Sequence, residues 1–97
     1  MNITNVKIRR IFTEESAKVK AIASVIVGGD LAVHDLKVIQ GTGRLFVAMP
    51  NRRSDDGSFQ DIVHPINQTA REKIETAILD AYRKAVEQDT EPEADKQ

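Results

Sequence analysis

Alternation of apolar and polar residues predicts four β-strands in the first half of the chain. The predicted strands cover residues 3–12, 17–27, 31–39 and 44–49. Gly28-Gly29-Asp30 separates the second strand from the third, and a glycine pair at such a position is typical of a hairpin turn. A second turn is predicted at residues 40–43, which contain two glycines. Short turns join antiparallel neighbours, so the pattern indicates an antiparallel sheet.

The side-chain patterns of the second and third predicted strands indicate which of their faces are buried. On one face of residues 17–27 lie Val19, Ala21, Ala23, Val25 and Val27; on the other lie Lys18, Lys20, Ile22, Ser24 and Ile26. The second half of this strand is apolar on both faces, which predicts a helix on one side and a loop or partner chain on the other. In residues 31–39, strict alternation predicts one face made of Leu31, Val33, Asp35, Lys37 and Ile39, opposite Ala32, His34, Leu36 and Val38.

Two prolines divide the second half of the chain. Pro50 has no amide hydrogen to donate to a strand ladder, so it is expected to end the fourth strand. Residues 51–57 are predicted to form a turn that carries Arg52 and Arg53, and residues 58–63 a short fifth strand. After Pro65 the spacing changes from that of strands to that of a helix.

This helix has two alternative start signals and one apolar stripe. Thr69 and Glu72 have the spacing of a capping box, in which each side chain accepts a hydrogen bond from the other residue's backbone amide. Asn67 is an alternative cap. The stripe at helical spacing consists of Ala70, Ile74, Ala77, Ile78, Ala81, Tyr82 and Ala85. The charged residues between them, Arg71 and Lys73 included, are expected to face solvent.

Together these elements predict an α+β fold. We expect a small antiparallel β-sheet of four to five strands packed with one C-terminal α-helix. Residues 1–86 are expected to form a single domain. From Glu87 onward the sequence is acidic and polar, so residues 87–97 are predicted to be a disordered acidic tail.

Composition narrows the possible environments and chemistries. The chain has 97 residues and no cysteine, which excludes disulfides and thiolate metal sites. It contains neither a membrane-length apolar segment nor a signal-peptide pattern, so we expect a cytoplasmic protein. The net charge of −1 is unevenly divided: residues 1–86 carry thirteen basic and ten acidic side chains, and residues 87–97 one lysine and five acidic side chains. The predicted domain is therefore mildly basic, at +3, which is also compatible with ordinary surface charge.

The paired arginines are the strongest candidate for a binding site. Two neighbouring guanidinium groups on a turn are suited to bidentate phosphate recognition, and a loop can follow a nucleic-acid backbone without reading its sequence. Arg71 and Lys73 near the helix start are candidates for the same surface, with the helix amides as a further anion-binding element. The alternative is that both groups are solvated surface charges. A third basic group, Lys7, Arg9, Lys18 and Lys20, is better explained as protection of a sheet edge.

No pattern in the chain indicates catalysis. His34 and Asp35 are neighbours on a strand and are expected to point to opposite faces, and Asp61 and His64 do not have a recognised metal-ligand spacing. Gly41-Thr42-Gly43 lacks the lysine and helix of a phosphate-binding loop. We therefore expect neither an enzyme nor a bound cofactor, metal or small-molecule substrate.

Long blocks of the sequence resemble the stage V sporulation protein G family, the septation proteins. The blocks are Ile22 to Ser24, Val33 to Ile39, Leu45 to Arg53, Asp56 to Phe59 and Asp61 to Asn67. The resemblance implies a small cytoplasmic bacterial regulator that forms dimers and binds DNA, and in some members RNA. It assigns the family's basic pair to Arg52 and Arg53 and its basic helix start to Arg71 and Lys73. The chain departs from the family at residues 13–17 and at Ser54-Asp55, where an added carboxylate would weaken phosphate binding.

Two functions remain as expectations. The first is a dimeric DNA- or RNA-binding regulator acting on genes linked to sporulation, septation or surface factors. The alternative is a protein-interaction module that influences septum formation without binding nucleic acid, through strand addition at an open sheet edge.

Overall fold

The computed structural model describes residues 2–88, which form a four-stranded sheet, a two-stranded ribbon and one helix. The main sheet consists, in spatial order, of β1 (Ile3–Ile11), β2 (Val19–Val27), β3 (Leu31–Gln40) and β4 (Leu45–Ala48), each antiparallel to its neighbour. The ribbon pairs β5 (Asn51–Arg53) with β6 (Phe59–Asp61), and α1 spans Gln68–Gln88. The predicted α+β class is confirmed. The strand predicted at residues 58–63 is shorter and pairs with β5 rather than with the main sheet.

The turn between β2 and β3 depends on its glycines. Gly28 and Gly29 have φ angles of 63° and 76°, in the left-handed region that a residue without a Cβ enters without steric cost. The amide of Asp30 donates to the carbonyl of Val27 at 3.2 Å and closes the turn. This tight connection makes β2 and β3 antiparallel neighbours, as the sequence predicted.

The core lies between the sheet and α1. Ala21, Ala23 and Val25 of β2 are buried, as predicted, and Ile74 and Ile78 of α1 are buried in the same cluster. The remaining buried members are Leu36, Val38, Val47 and Met49. The two alanines leave room for the helix to approach the sheet, and burial of each large aliphatic side chain stabilises the fold by about 1.5–3 kcal/mol.

The predicted faces of β3 are wrong after residue 34, because the strand contains a β-bulge. Val25 pairs with Val33 and Ala23 with Leu36, so both His34 and Asp35 lie opposite Ser24. Asp35 has a φ of 68°, a conformation that aspartate adopts more readily than most residues.

The extra residue changes the side-chain alternation of the strand. Leu36 and Val38 consequently join Val33 on the core side, while Lys37 and Ile39 turn to the other side of the sheet. We refer to this side, opposite α1, as the outer face.

The helix starts at the second of the two predicted caps. The Oδ1 atom of Asn67 accepts a hydrogen bond from the amide of Ala70 at 2.8 Å, which is the geometry of an N-cap. Thr69 lies inside the helix. The predicted apolar stripe is confirmed at Ile74 and Ile78, and Leu79 also packs against the core. The helix reaches Gln88, past the predicted boundary at residue 86, and residues 89–97 of the predicted tail lie outside the described part of the chain.

Candidate nucleic-acid interface

The predicted arginine pair lies on a ribbon that projects from the end of β4. We call residues 51–61 the arginine arm. Its two strands pair Asn51 with Asp61, Arg52 with Gln60 and Arg53 with Phe59. At its base, Met49 and Pro50 are buried, and the carbonyl of Pro50 accepts a hydrogen bond from the amide of Ile62 at 2.7 Å. The arm is thus fixed at one end to the edge of the main sheet.

The tip of the arm is a turn stabilised by Asp56. Its Oδ1 atom accepts hydrogen bonds from the amide of Ser58 at 3.0 Å and from the hydroxyl of Ser58 at 2.7 Å. These bonds favour the carboxylate and lower the pKa of Asp56 below its ordinary value of 3.8. The amide of Gly57 donates to the carbonyl of Ser54 at 3.0 Å, and Gly57 has a φ of 89°, which a side chain would strain.

Both arginines lie on β5, which ends at Arg53, and not on the turn itself. Neighbours on a strand point to opposite faces, so Arg52 and Arg53 present their guanidinium groups on the two sides of the ribbon. The Arg53 guanidinium lies close to the turn. If Gly57 carried a Cβ atom, that atom would be 3.8 Å from Nη2 of Arg53. Both residues are exposed, and within residues 2–88 neither one takes part in an ion pair. The two arginines can therefore contact two separate phosphates. They are not placed to bind one phosphate together.

The arm is not uniformly basic. Its two arginines are accompanied by Asp55, Asp56 and Asp61. Asp56 is held by the turn, and Asp61 lies across the ribbon from Asn51. Attraction of a phosphate backbone therefore depends on the positions of the two guanidinium groups and not on a general positive field.

The two predicted helix residues lie on different flanks of α1. Arg71 is half-buried and lies one turn before Glu75, whose Oε1 atom is 4.0 Å from Nη2 of Arg44 beside β4. Lys73 lines a groove of about 440 Å³ together with Asn2 and Ile3 at the opposite edge of the sheet. Arg71 thus belongs to the flank from which the arm projects, and Lys73 does not.

The third basic group is also divided. Lys7 and Arg9 are exposed on β1, an edge strand of the main sheet. The Nζ atom of Lys20 donates to the carbonyls of Glu14 and Glu15 at 3.3 and 3.4 Å, so this lysine stabilises the loop before β2. The four cations do not form one row, which agrees with the interpretation of Lys7 and Arg9 as protection of an edge.

Sequence reasoning missed an exposed apolar surface after β5. Phe59, Ile62, Val63 and Ile66 expose 69%, 62%, 43% and 87% of their surface. The available signal was that Ile62, Val63 and Ile66 have neither the alternation of a strand nor a place on the helix stripe. We call these four residues the apolar segment. Exposed apolar surface rimmed by polar residues is typical of interaction sites, so this segment is a candidate interface.

Among residues 2–88, no group of three or more histidine, cysteine or acidic side chains has the geometry to hold a metal ion. Nor does α1, the one helix described, combine the length and hydropathy needed to cross a bilayer.

Comparison with known proteins gives one consistent result. The sequence profile of the SpoVG family matches residues 1–84. A protein of Clostridium beijerinckii named "Putative septation protein SpoVG" is 55% identical over 89 residues, which cover 92% of this chain and 96% of that protein. Proteins with the same name from Clostridium acetobutylicum and Lachnospira eligens are 50% and 47% identical, covering 99% and 88% of this chain and 100% and 94% of their own lengths.

Proposed function

Because this chain belongs to the SpoVG family, we propose that it is a bacterial regulator of septation and sporulation that acts by binding nucleic acid. The septation role is supported by the names of its relatives. In this proposal a dimer binds DNA, and RNA by the same contacts, at the phosphate backbone. The regulated genes are those linked to sporulation, septation or surface factors.

The observation that carries the proposal is the position of two arginines on opposite sides of a narrow ribbon. The major groove of B-DNA admits a two-stranded β-ribbon. A ribbon in the groove turns one face to the bases and the other away from them, and Arg52 and Arg53 lie on these two faces. A long arginine side chain on either face can extend past the ribbon edge to a flanking phosphate strand. The guanidinium on the face turned to the bases can also reach a guanine edge, which would provide site selectivity.

Arg71 and Lys73 have unequal parts in this proposal. Arg71 lies on the flank of α1 that contacts the β4 side, from which the arm projects. It is therefore suited to a phosphate beside the one that Arg52 or Arg53 contacts. Lys73 lies at the opposite edge, beside Asn2, and serves a phosphate further along the backbone.

The apolar segment supports the proposal of a dimer. Phe59 belongs to the second strand of the arm and the other three residues follow that strand, so a contact between two copies through this segment would hold two arms in a fixed relation. Two-fold symmetry would double the phosphate contacts without requiring a more basic chain.

The decisive experiment is fluorescence anisotropy with a short labelled duplex and its RNA counterpart, from low to near-physiological salt. We expect the affinity to fall steeply with salt because bound phosphates release counterions. Arg52→Ala combined with Arg53→Ala should abolish binding at near-physiological salt. Since both side chains are exposed and unpaired within residues 2–88, the thermal melt should barely move.

Arg83→Ala combined with Lys84→Ala removes two exposed cations from the last turns of α1 and is the matched control. The control should bind like the unmodified protein. If both variants lost affinity equally, binding would depend on the total charge of the protein, which would contradict a role for the arm. Loss of binding together with loss of the folded circular-dichroism spectrum would leave the arm unsupported.

The exposed apolar segment also favours a second candidate, a protein-interaction module. A complex formed through Phe59 and Ile66 would respond weakly to ionic strength, whereas phosphate binding responds strongly. Absence of binding to either polymer at low salt would favour this candidate.

A further inference from the structure

A cavity of about 290 Å³ opens on the outer face of the main sheet, away from the arginine arm and α1. It is lined by Arg9, Ile22, Ser24, His34 and Asp35. Its β2 members, Ile22 and Ser24, alternate with the core residues Ala21, Ala23 and Val25, which places them on the side opposite the helix. No part of the proposed function uses this cavity.

Two β-bulges shape the cavity. In β1, Ile8 pairs with Ala23 and Arg10 with Ile22, which leaves Arg9 as an extra residue. In β3, the bulge at His34 and Asp35 lies opposite Ser24. Bulges bend strands and redirect side chains. Here they flank β2 on both sides, and Arg9 and His34 form opposite walls over Ser24.

The floor of the cavity holds a buried polar group in a fixed position. Ser24 is only 6% exposed, and its hydroxyl is hydrogen-bonded to Nδ1 of His34 at 2.9 Å. This bond fixes the orientation of the imidazole ring. Nε2 is left as the ring nitrogen without a hydrogen-bond partner among residues 2–88.

The surrounding charge is positive. Lys7 pairs with Ser24 and Lys37 with Ile22, and residues directly opposite each other on antiparallel strands share a face. Both lysines therefore lie on the outer face with Arg9. Asp35 is the one acidic residue in the cavity lining.

From this arrangement we propose that the outer-face cavity is a binding site for a phosphate monoester. Arg9 provides a guanidinium for the phosphate oxygens, and the fixed imidazole of His34 contacts them from the opposite wall. The carboxylate of Asp35 accepts a hydrogen bond from a hydroxyl beside the phosphate, either a protonated phosphate oxygen or a sugar hydroxyl. A free phosphate compound and the phosphorylated end of a nucleic-acid strand share this chemistry.

The test is an NMR titration of the isotopically labelled full chain, following backbone amides and the His34 ring. The probes are sodium phosphate, with sodium chloride at equal ionic strength as reference, and a short single-stranded oligonucleotide with and without a 5′-phosphate. With sodium phosphate we expect saturating shifts confined to Arg9, Ser24 and His34, and with the oligonucleotide we expect the 5′-phosphate to add shifts at the same three residues. A stronger response to the phosphorylated oligonucleotide than to sodium phosphate assigns the site to strand ends, and equal responses assign it to free phosphate compounds.

Arg9→Gln should weaken phosphate binding about tenfold, as expected for loss of one charge-assisted contact. Arg83→Gln is the control, because Arg83 is an exposed arginine on α1, on the side of the sheet opposite the cavity. It should titrate like the unmodified protein. Shifts that do not saturate, or that spread evenly over all surface cations, would overturn the site, as would an Arg9→Gln protein with unchanged affinity.

The same titration on the protein carrying Arg52→Ala and Arg53→Ala separates this proposal from the function proposed for the arm. Cavity shifts should persist there. Duplex binding without any phosphate response at Arg9 would refute the cavity and leave the arm untouched.

Discussion

A single residue, Asp35, decides which side chains of β3 enter the core. The alternation of residues 31–39 predicted the wrong face for Leu36 and Val38, because a bulge adds one residue to the strand without changing its composition. Nothing local distinguishes Asp35 from an ordinary outward-facing polar residue. The bulge therefore could not be read from the sequence, although the strand itself could.

The conformation of Asp35 leads to a testable difference between two substitutions. Asp35→Val places a β-branched residue at a φ of 68° and should destabilise the fold by about 1–2 kcal/mol. Asp35→Asn should have a small effect, because asparagine tolerates this region as aspartate does. Urea unfolding of both variants measures the difference. Equal stability of the two proteins would show that β3 can realign without the bulge.

Asp56 gives the tip of the arm a dependence on pH. Hydrogen bonds from Ser58 lower its pKa in the folded chain below the ordinary 3.8. A depressed carboxylate pKa stabilises the folded turn above the ordinary value, and this contribution is lost as the pH falls through the lowered pKa. We expect the amide signal of Ser58 to move towards its unfolded position in that acidic range. In Asp56→Asn this shift of the Ser58 amide signal should be absent. If it persisted, another carboxylate would be its cause.

At the level of elements, the arm shows how far the sequence could position the candidate site. Pro50 and Asp56-Gly57 correctly predicted where β4 ends and where the chain turns. The three-residue strands β5 and β6 are too short to give a periodic pattern, so the arginines were expected on the turn and lie on β5 instead. The helix pattern likewise identified α1 but not which of its charged residues face the arm.

The position of the arginines on a strand predicts how their contributions combine. If Arg52 and Arg53 contact separate phosphates, each alanine substitution should reduce the salt slope by about one, and the two free-energy losses should add to within about 0.5 kcal/mol. Anisotropy titrations of both single variants and the double variant form the required cycle. If the double variant loses no more affinity than either single variant, the two side chains act on one phosphate, and the opposite-face geometry does not apply to the complex.

At the level of the whole molecule, the sequence predicted the layers but not the surfaces between molecules. Alternation in β2 and the stripe of α1 were sufficient to predict the parts of the core that these two elements provide, because both bury one regular face. The apolar segment has no such periodicity, so its exposure is visible only once the fold around it is known. Its four residues are where the proposed dimer can be tested.

Replacing Phe59 and Ile66 by serine should separate assembly from folding. The two side chains are 69% and 87% exposed in the single chain, so their loss costs little folding stability but removes apolar area from a contact between copies. We expect light scattering after size exclusion to show a dimer for the unmodified protein and a monomer for the variant.

Because the salt slope counts the phosphates contacted by the assembly, the monomer should bind a long duplex with about half the slope. Leu31→Ser, at the first residue of β3 and 60% exposed, is the control. A variant that remains dimeric would exclude the apolar segment as the subunit contact, and an unchanged slope in a monomer would show that one arm alone makes all the phosphate contacts.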